Sequence, residues 1–291
     1  MATDAPLPAA VAAVGTANGR VNLLGEHTDY NDGLVLPTVI PQLTRVLMRR
    51  NVGGFEFTST TTGERTTFPD DQPPPTTFAA LVFGCVAVLR SRGLRVPAVS
   101  VRVSSTVPLG AGLSSSAALT VATLRALRHL VGARLSDTEL ALCARDVERT
   151  QLGVQIGVLD PMAVSLCQPE RMLLLDTRDL SYRQLPLPAD SEVVVVHSGT
   201  RRELKGTAYN ERRQECVQAA RQLGVGSLRE VTDHGRAATL PDPLARRVRH
   251  VLGENRRVRA AAGASAPAFG TLMRESHASL RDDYEVSTPA L

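Results

Sequence analysis

Residues 19–37 read GRVNLLGEHTDYNDGLVLP, and no other stretch constrains the chain as sharply. Val21, Leu23 and Leu24 give an apolar strand pattern that ends at Gly25, and Glu26, His27 and Asp29 follow at once. Asn31-Asp32-Gly33 is turn chemistry, and a second apolar run, Leu34 to Ile40, comes after it. A strand that delivers three ionisable groups at its end, pinned by a turn, suits a site that holds many hydroxyls. A solvated acidic loop would not need an Arg, a Glu, a His and an Asp in so short a segment. The residue types also fit metal coordination, but adjacent side chains at a strand end point in different directions, which disfavours it.

A second constellation, residues 107–118, reads VPLGAGLSSSAA. Glycines let a backbone approach a ligand closely, and a helix start offers unpaired N–H groups and a positive dipole end. The result is an anion cradle. It is neither a Walker A loop nor a dinucleotide fingerprint, because GxxxxGK[ST] and GxGxxG are both absent. A third segment, residues 153–163, reads GVQIGVLDPMA. A lone Asp160 in such an apolar stretch needs a partner if buried, and Arg20 is the candidate. A fourth, residues 207–213, reads TAYNERR.

Together these segments resemble the galactokinase signature of the GHMP small-molecule kinases. The first is similar to GRVNLIGEHTDYNxGxVLP, the second to the phosphate motif PxGxGLxSSAA, the third to GxxxGxMDQ and the fourth to SxYNxRR. The resemblance implies transfer of the γ-phosphate of ATP to the anomeric hydroxyl of galactose, with N-acetylgalactosamine or arabinose as alternative sugars. It implies that Asp160 orients or deprotonates the attacking hydroxyl, while Arg20 stabilises charge on Asp160 and on the transferring group. Glu26, His27, Asp29, Gly157 and Tyr209 would surround the sugar. The backbone of Gly110, Ala111, Gly112, Leu113, Ser114, Ser115 and Ser116 would hold the nucleotide phosphates. Ser116, or its neighbour Ser115, with Glu148 would be the ligands of Mg²⁺, which takes a few oxygens and completes its octahedron with water and phosphate. Read without the motif, Glu148 is a solvated helical carboxylate.

The fold so implied is α+β: a two-domain GHMP kinase with an S5-domain-2-like N-terminal domain over residues 1–175 and an incomplete ferredoxin-like C-terminal domain over residues 176–291. Asn18 and Pro161 stand where the family has Pro and Gln. The match runs to Leu291 without the family's TGGGFGG-like loop, so a truncated C-terminal domain with weak turnover is expected. An inactive sugar- and ATP-binding sensor, or a gene fragment, is the alternative from a different class.

Composition narrows the rest. The formal charge is +4, almost all of the positive charge is arginine, and Lys205 is the single lysine. The densest basic stretch, residues 246–259, has apolar residues at helical spacing, which predicts an amphipathic helix with its arginines in solvent. Aromatic residues make up 3% with no Trp, so base-stacking surfaces are scarce and nucleic acid is not expected as a partner. No apolar run spans a membrane and no basic leader is present, so a cytoplasmic monomer with four incidental thiols is expected.

The pattern predicts strands over 42–51 and 54–60, joined by a hairpin turn at Val52-Gly53, and further strands over 98–105, 171–176 and 192–198. Helices are predicted over 77–90, from Ser114–Ser116 to Val131 with a serine N-cap, and from Ser136, which forms a capping box with Glu139, through Glu148 toward Thr150. More follow over 208–223, 242–262 and 267–281. Strands and helices that do not alternate argue for α+β rather than a doubly wound sheet.

Overall fold

A computed structural model describes residues 13–72, 74–199 and 207–291. The architecture is α+β, with eight strands and eight α-helices among the described residues. The chain forms two compact units that interleave in sequence. The first takes Met1–Gly19, Ile40–Leu109 and Leu113–Val154; the second takes Arg20–Val39, Gly110–Gly112 and Gln155–Leu291. No single cut in the chain separates them.

In the first unit the C-terminal part of β3 (Pro37–Arg50) pairs antiparallel with β6 (Val99–Ser105), from Thr44 opposite Ser105 to Arg50 opposite Val99. Strand β4 (Phe55–Ser59) runs parallel on the other side of β6 and carries β5 (Arg65–Phe68) antiparallel at its far edge. The chain therefore does not turn back on itself at Val52-Gly53: β6 lies between the two strands that the hairpin was expected to join. Tight turn chemistry cannot reveal that a distant strand is inserted. Helices α1 (Thr77–Ser91), α2 (Ser115–Val131) and α3 (Asp137–Leu152) pack on one another. Val82, Leu89, Leu124, Leu127 and Leu140 are fully buried in this unit, beside edge-to-face and stacked pairs of Phe55, Phe57, Phe68 and Phe83. The expected capping box at Ser136 and Glu139 is formed.

In the second unit β7 (Arg171–Asp176) pairs with the short β2 (Leu34–Val35), with the start of β3 at Thr38, and with β8 (Tyr182–Pro186). Strand β1 (Ala13–Asn22) enters this unit at Arg20. The helices are α4 (Leu159–Leu166), α5 (Thr207–Leu223), α6 (His234–Ala238), α7 (Leu244–Ala261) and α8 (Ala266–Asp282). One apolar cluster gathers Leu23, Leu24, Leu36, Met172, Val258 and Phe269, and another gathers Cys216, Leu223, Leu228, Val248, Val251 and Tyr284.

Two expectations fail here. Residues 192–198 are not a strand, and Val194 and Val196 are 73% and 82% exposed. A β-branched run supplies propensity, but propensity without a partner strand does not make a sheet. The arginines of α7 are also not all in solvent: Arg247 is 0% and Arg257 7% exposed, and His250, Glu254 and Asn255 are buried beside them. Among the described residues no helix is long and apolar enough to cross a membrane, and all four cysteines are free thiols.

Candidate active site

The loop after β1 is shaped by its own sequence. Gly25 has φ +88°, and a β-carbon there would overlap the Leu34 carbonyl. The Thr28 hydroxyl lies between the carbonyls of Gly25 (2.9 Å) and Leu34 (2.7 Å), and the Gly33 amide donates to the Thr28 carbonyl at 2.9 Å. His27 and Asp32 both take left-handed backbone, φ 61° and 55°, a costly conformation that the surroundings must hold in place.

At the end of β1, Arg20 meets Asp160 from the first turn of α4. Arg20 Nε and Nη2 both donate to Asp160 Oδ1, at 2.8 and 2.5 Å, and Nη1 donates to the Gly112 carbonyl at 2.8 Å. One guanidinium thus ties the glycine loop to the carboxylate. Burial alone would lower the Arg20 pKa, but Asp160, Glu26 and Asp29 outweigh it and the net shift is upward. Asp29 Oδ2 accepts the Leu159 amide at 3.3 Å, and Gly157 lies against the same carboxylate. The Tyr209 ring centroid stands 5.7 Å from that of His27. Burial pushes the Glu26 carboxyl up to about 7 and that of Asp29 to about 6; repulsion from Asp160 adds to both, and Arg20 opposes it. The second unit thus collects Arg20, Glu26, His27, Asp29, Gly157, Asp160 and Tyr209, residues drawn from three distant parts of the sequence.

The glycine-rich loop has Gly110 and Gly112 at φ +72° and +74°, each with open space where a side chain would begin. Backbone conformation, not crowding, requires glycine there. In the first unit α2 begins after Ser114, whose φ of 56° is left-handed. A serine does hold the N-cap position, as expected, but its hydroxyl makes no capping bond and is buried without a partner. The first-turn amides of α2 are therefore not satisfied by that side chain. Two residues on, the Ser116 hydroxyl donates to Glu148 Oε2 at 2.7 Å, and Glu148 is only 4% exposed rather than solvated. Among the described residues no group of three or more His, Cys, Asp and Glu side chains could hold a metal. A hydroxyl beside a carboxylate is nevertheless an oxygen donor pair that suits a hard cation.

Sequence reasoning missed the support behind the loop. Glu254 accepts the amides of Gly25 and Glu26 at 2.7 and 3.2 Å, His250 Nε2 meets the Glu26 carbonyl at 3.0 Å, and Asn255 Oδ1 accepts the Leu34 amide at 2.7 Å. Tyr30 bridges His27 Nδ1 (2.9 Å) and the Tyr284 hydroxyl (2.8 Å). The only trace in the sequence was the four-residue spacing of His250 and Glu254, which puts both on one helix face.

Two family models match the chain: "GHMP kinases N terminal domain" over residues 80–168 and "Galactokinase galactose-binding signature" over residues 7–50. A galactokinase of Roseiflexus sp. (strain RS-1) is 43% identical over 288 residues, covering 94% of this chain and 74% of that protein. A galactokinase of Thermotoga neapolitana is 39% identical, covering 93% and 78%. Among solved structures, Lactococcus lactis galactokinase complexed with galactose superposes with a TM-score of 0.89 at 29% identity, over 96% of this chain and 77% of that one. Methanococcus jannaschii mevalonate kinase, at 14% identity and TM-score 0.64, shares the fold.

Proposed function

The chain belongs to the galactokinase family, within the GHMP kinases, and from that premise we propose that it transfers the γ-phosphate of ATP to the anomeric hydroxyl of galactose. The observation that carries this reading is the double donation from Arg20 to a single oxygen of Asp160, in the same unit as the carboxylates of Glu26 and Asp29. Because Oδ1 takes both bonds, Oδ2 is left without a hydrogen-bond partner among the described residues and is available to the attacking hydroxyl. Asp160 then orients that hydroxyl or takes its proton, and Arg20 stabilises charge on Asp160 and on the phosphoryl group. Phosphoryl transfer asks little covalent chemistry of a protein, so positioning and electrostatics supply most of the rate.

Glu26, His27, Asp29, Gly157 and Tyr209 form the sugar side. A polar enclosure of this kind rejects sugars that lack a matched hydroxyl, because the protein group is then left unpaired. Gly110–Gly112 and the amides of Leu113 to Ser116 take the phosphates of ATP. Ser116 and Glu148 would hold Mg²⁺, which neutralises phosphate charge when bound. The test is a coupled assay of ADP release with galactose, N-acetylgalactosamine and arabinose. Galactose-dependent ADP release that disappears in Asp160→Ala is expected. ADP release indifferent to sugar, or greatest with one of the other two, would overturn the assignment.

A further inference from the structure

Successive backbone amides in a turn conformation form a concavity that accepts an anion. Gly25 and Glu26 make such a concavity, and the anion in it is a side chain of the same protein: Glu254 Oε2, at 2.7 and 3.2 Å. Glu254 is 0% exposed. Its other oxygen accepts Arg257 Nε at 2.6 Å, so the buried carboxylate is charge-paired as well as hydrogen-bonded. Arg257 in turn packs on Gly253, where a β-carbon would come within 3.1 Å of the guanidinium. One turn earlier, His250 Nε2 meets the Glu26 carbonyl. A carbonyl only accepts, so Nε2 carries the proton, and Nδ1 lies 2.9 Å from the Ser279 hydroxyl. Both faces of the Glu26 peptide segment are thereby gripped by α7, immediately before the left-handed His27.

We propose that Glu254 is a positioning residue for the sugar-binding loop: by clamping the backbone of Gly25 and Glu26 it sets where the side chains of Glu26, His27 and Asp29 stand. The inference rests on the kinase reading above. Glu254 bonds to the backbone and not to the side chains assigned to the sugar, so its effect is on galactose binding through the loop. It has no direct bond to Arg20, Asp160, Ser116 or Glu148.

Glu254→Gln is the direct test. A glutamine has one oxygen, so it satisfies either the two loop amides or Arg257, and its NH₂ opposes donors on the remaining side. Steady-state kinetics should show KM for galactose raised about tenfold or more, with KM for ATP unchanged and a native circular dichroism spectrum. His250 supplies a second arm. His250→Ala loses the donor to Glu26 and should raise the galactose KM, while His250→Gln can place an amide N–H in its stead and should restore it. A folded Glu254→Gln with wild-type galactose KM overturns the inference, and so does an equal rise in both KM values, which would mean general loosening. If Glu254→Gln does not fold, the His250 pair decides, and equal galactose KM for Ala and Gln overturns it. If none of these variants folds, the clamp is a stability element and the inference is wrong. A wild-type chain with no galactose-dependent turnover overturns the kinase reading itself, a result distinct from all of these.

Discussion

A β-carbon on Gly157 would overlap the carboxylate of Asp29, so the two residues keep their places only while position 157 is glycine. Asp29 has no room to yield without losing the Leu159 amide. Gly157→Ala is therefore expected to act as an Asp29 variant in disguise: galactose affinity measured by calorimetry falls by about 1.5–3 kcal/mol, as for a lost charged hydrogen bond. Asp29→Ala should fall by a similar amount, and the double variant by no more than either. Additive losses would show that the two act separately.

The Arg20–Asp160 contact depends on a planar fork. Two guanidinium nitrogens reach one oxygen and a third reaches Gly112. A lysine is a point charge and cannot span those acceptors. Arg20→Lys should lower kcat about a hundredfold while the fold survives, and Asp160→Asn should lower it at least as far. Near-normal kcat in Arg20→Lys would remove Arg20 from the reaction.

Glu26 and Asp29 also set a pH dependence of stability. Their folded pKa values, about 7 and about 6, lie above the ordinary 4.5 and 3.8. Below the ordinary values both carboxyls are protonated in both states and cost nothing. As pH rises the unfolded chain ionises first, so this share of stability drains away until pH passes about 7. Glu26→Gln should therefore stabilise the sugar-free protein at pH 8, by about 1–2 kcal/mol given its partial exposure, and have no such effect at pH 4. Urea unfolding of variant and wild type at both pH values checks this. Taking the difference at each pH removes His250, whose pKa burial lowers and which instead costs stability as pH falls through the ordinary histidine range.

Arg247 should prove the most stabilising arginine of α7. Fully buried, it donates to Glu215 (2.6 Å), Glu285 (2.7 Å) and the Asp283 carbonyl (2.5 Å), with the Tyr284 ring 5.6 Å away. Arg247→Ala should cost about 3 kcal/mol, because it leaves a cavity and removes from Glu215 and Glu285 the buried one of their two cations, Arg212 and Arg246 being the others. Arg249, with a side chain 64% exposed, should cost under about 0.5 kcal/mol when truncated. Equal costs by urea unfolding would contradict the burial argument.

The run Val193–Val196 offers apolar side chains to solvent and no backbone hydrogen bond to any described residue. An unpaired β-prone segment is a template for strand addition. Light scattering should show concentration-dependent association that Val194→Lys with Val196→Lys suppresses, and no change on substitution would acquit the segment.

What the sequence disclosed, it disclosed where chemistry is contiguous. The loop at Glu26–Asp29 and the glycines at 110 and 112 could be read because turn residues and charges sit side by side. Arg20 and Asp160 are 140 positions apart, yet a charge in an apolar stretch demanded a partner and the partner was in the other motif. The Val52-Gly53 hairpin failed because local turn chemistry is blind to β6 entering between β3 and β4. Residues 192–198 failed because β-propensity says nothing about a partner. In α7 the helix formed but the solvated-arginine reading failed, for a different reason: hydropathy counts every Arg, His and Glu as surface.

That helix carries a warning for anyone who would redesign the protein. Arg249, Arg256 and Arg259 are exposed and open to replacement, whereas Arg247, His250, Glu254 and Arg257, on the same eighteen-residue helix, are buried. A recolouring of α7 that swaps every charge for another polar residue would look harmless to any scheme that protects only hydrophobic positions. It would dismantle the interior mounting of the loop while leaving each leucine and valine where it was.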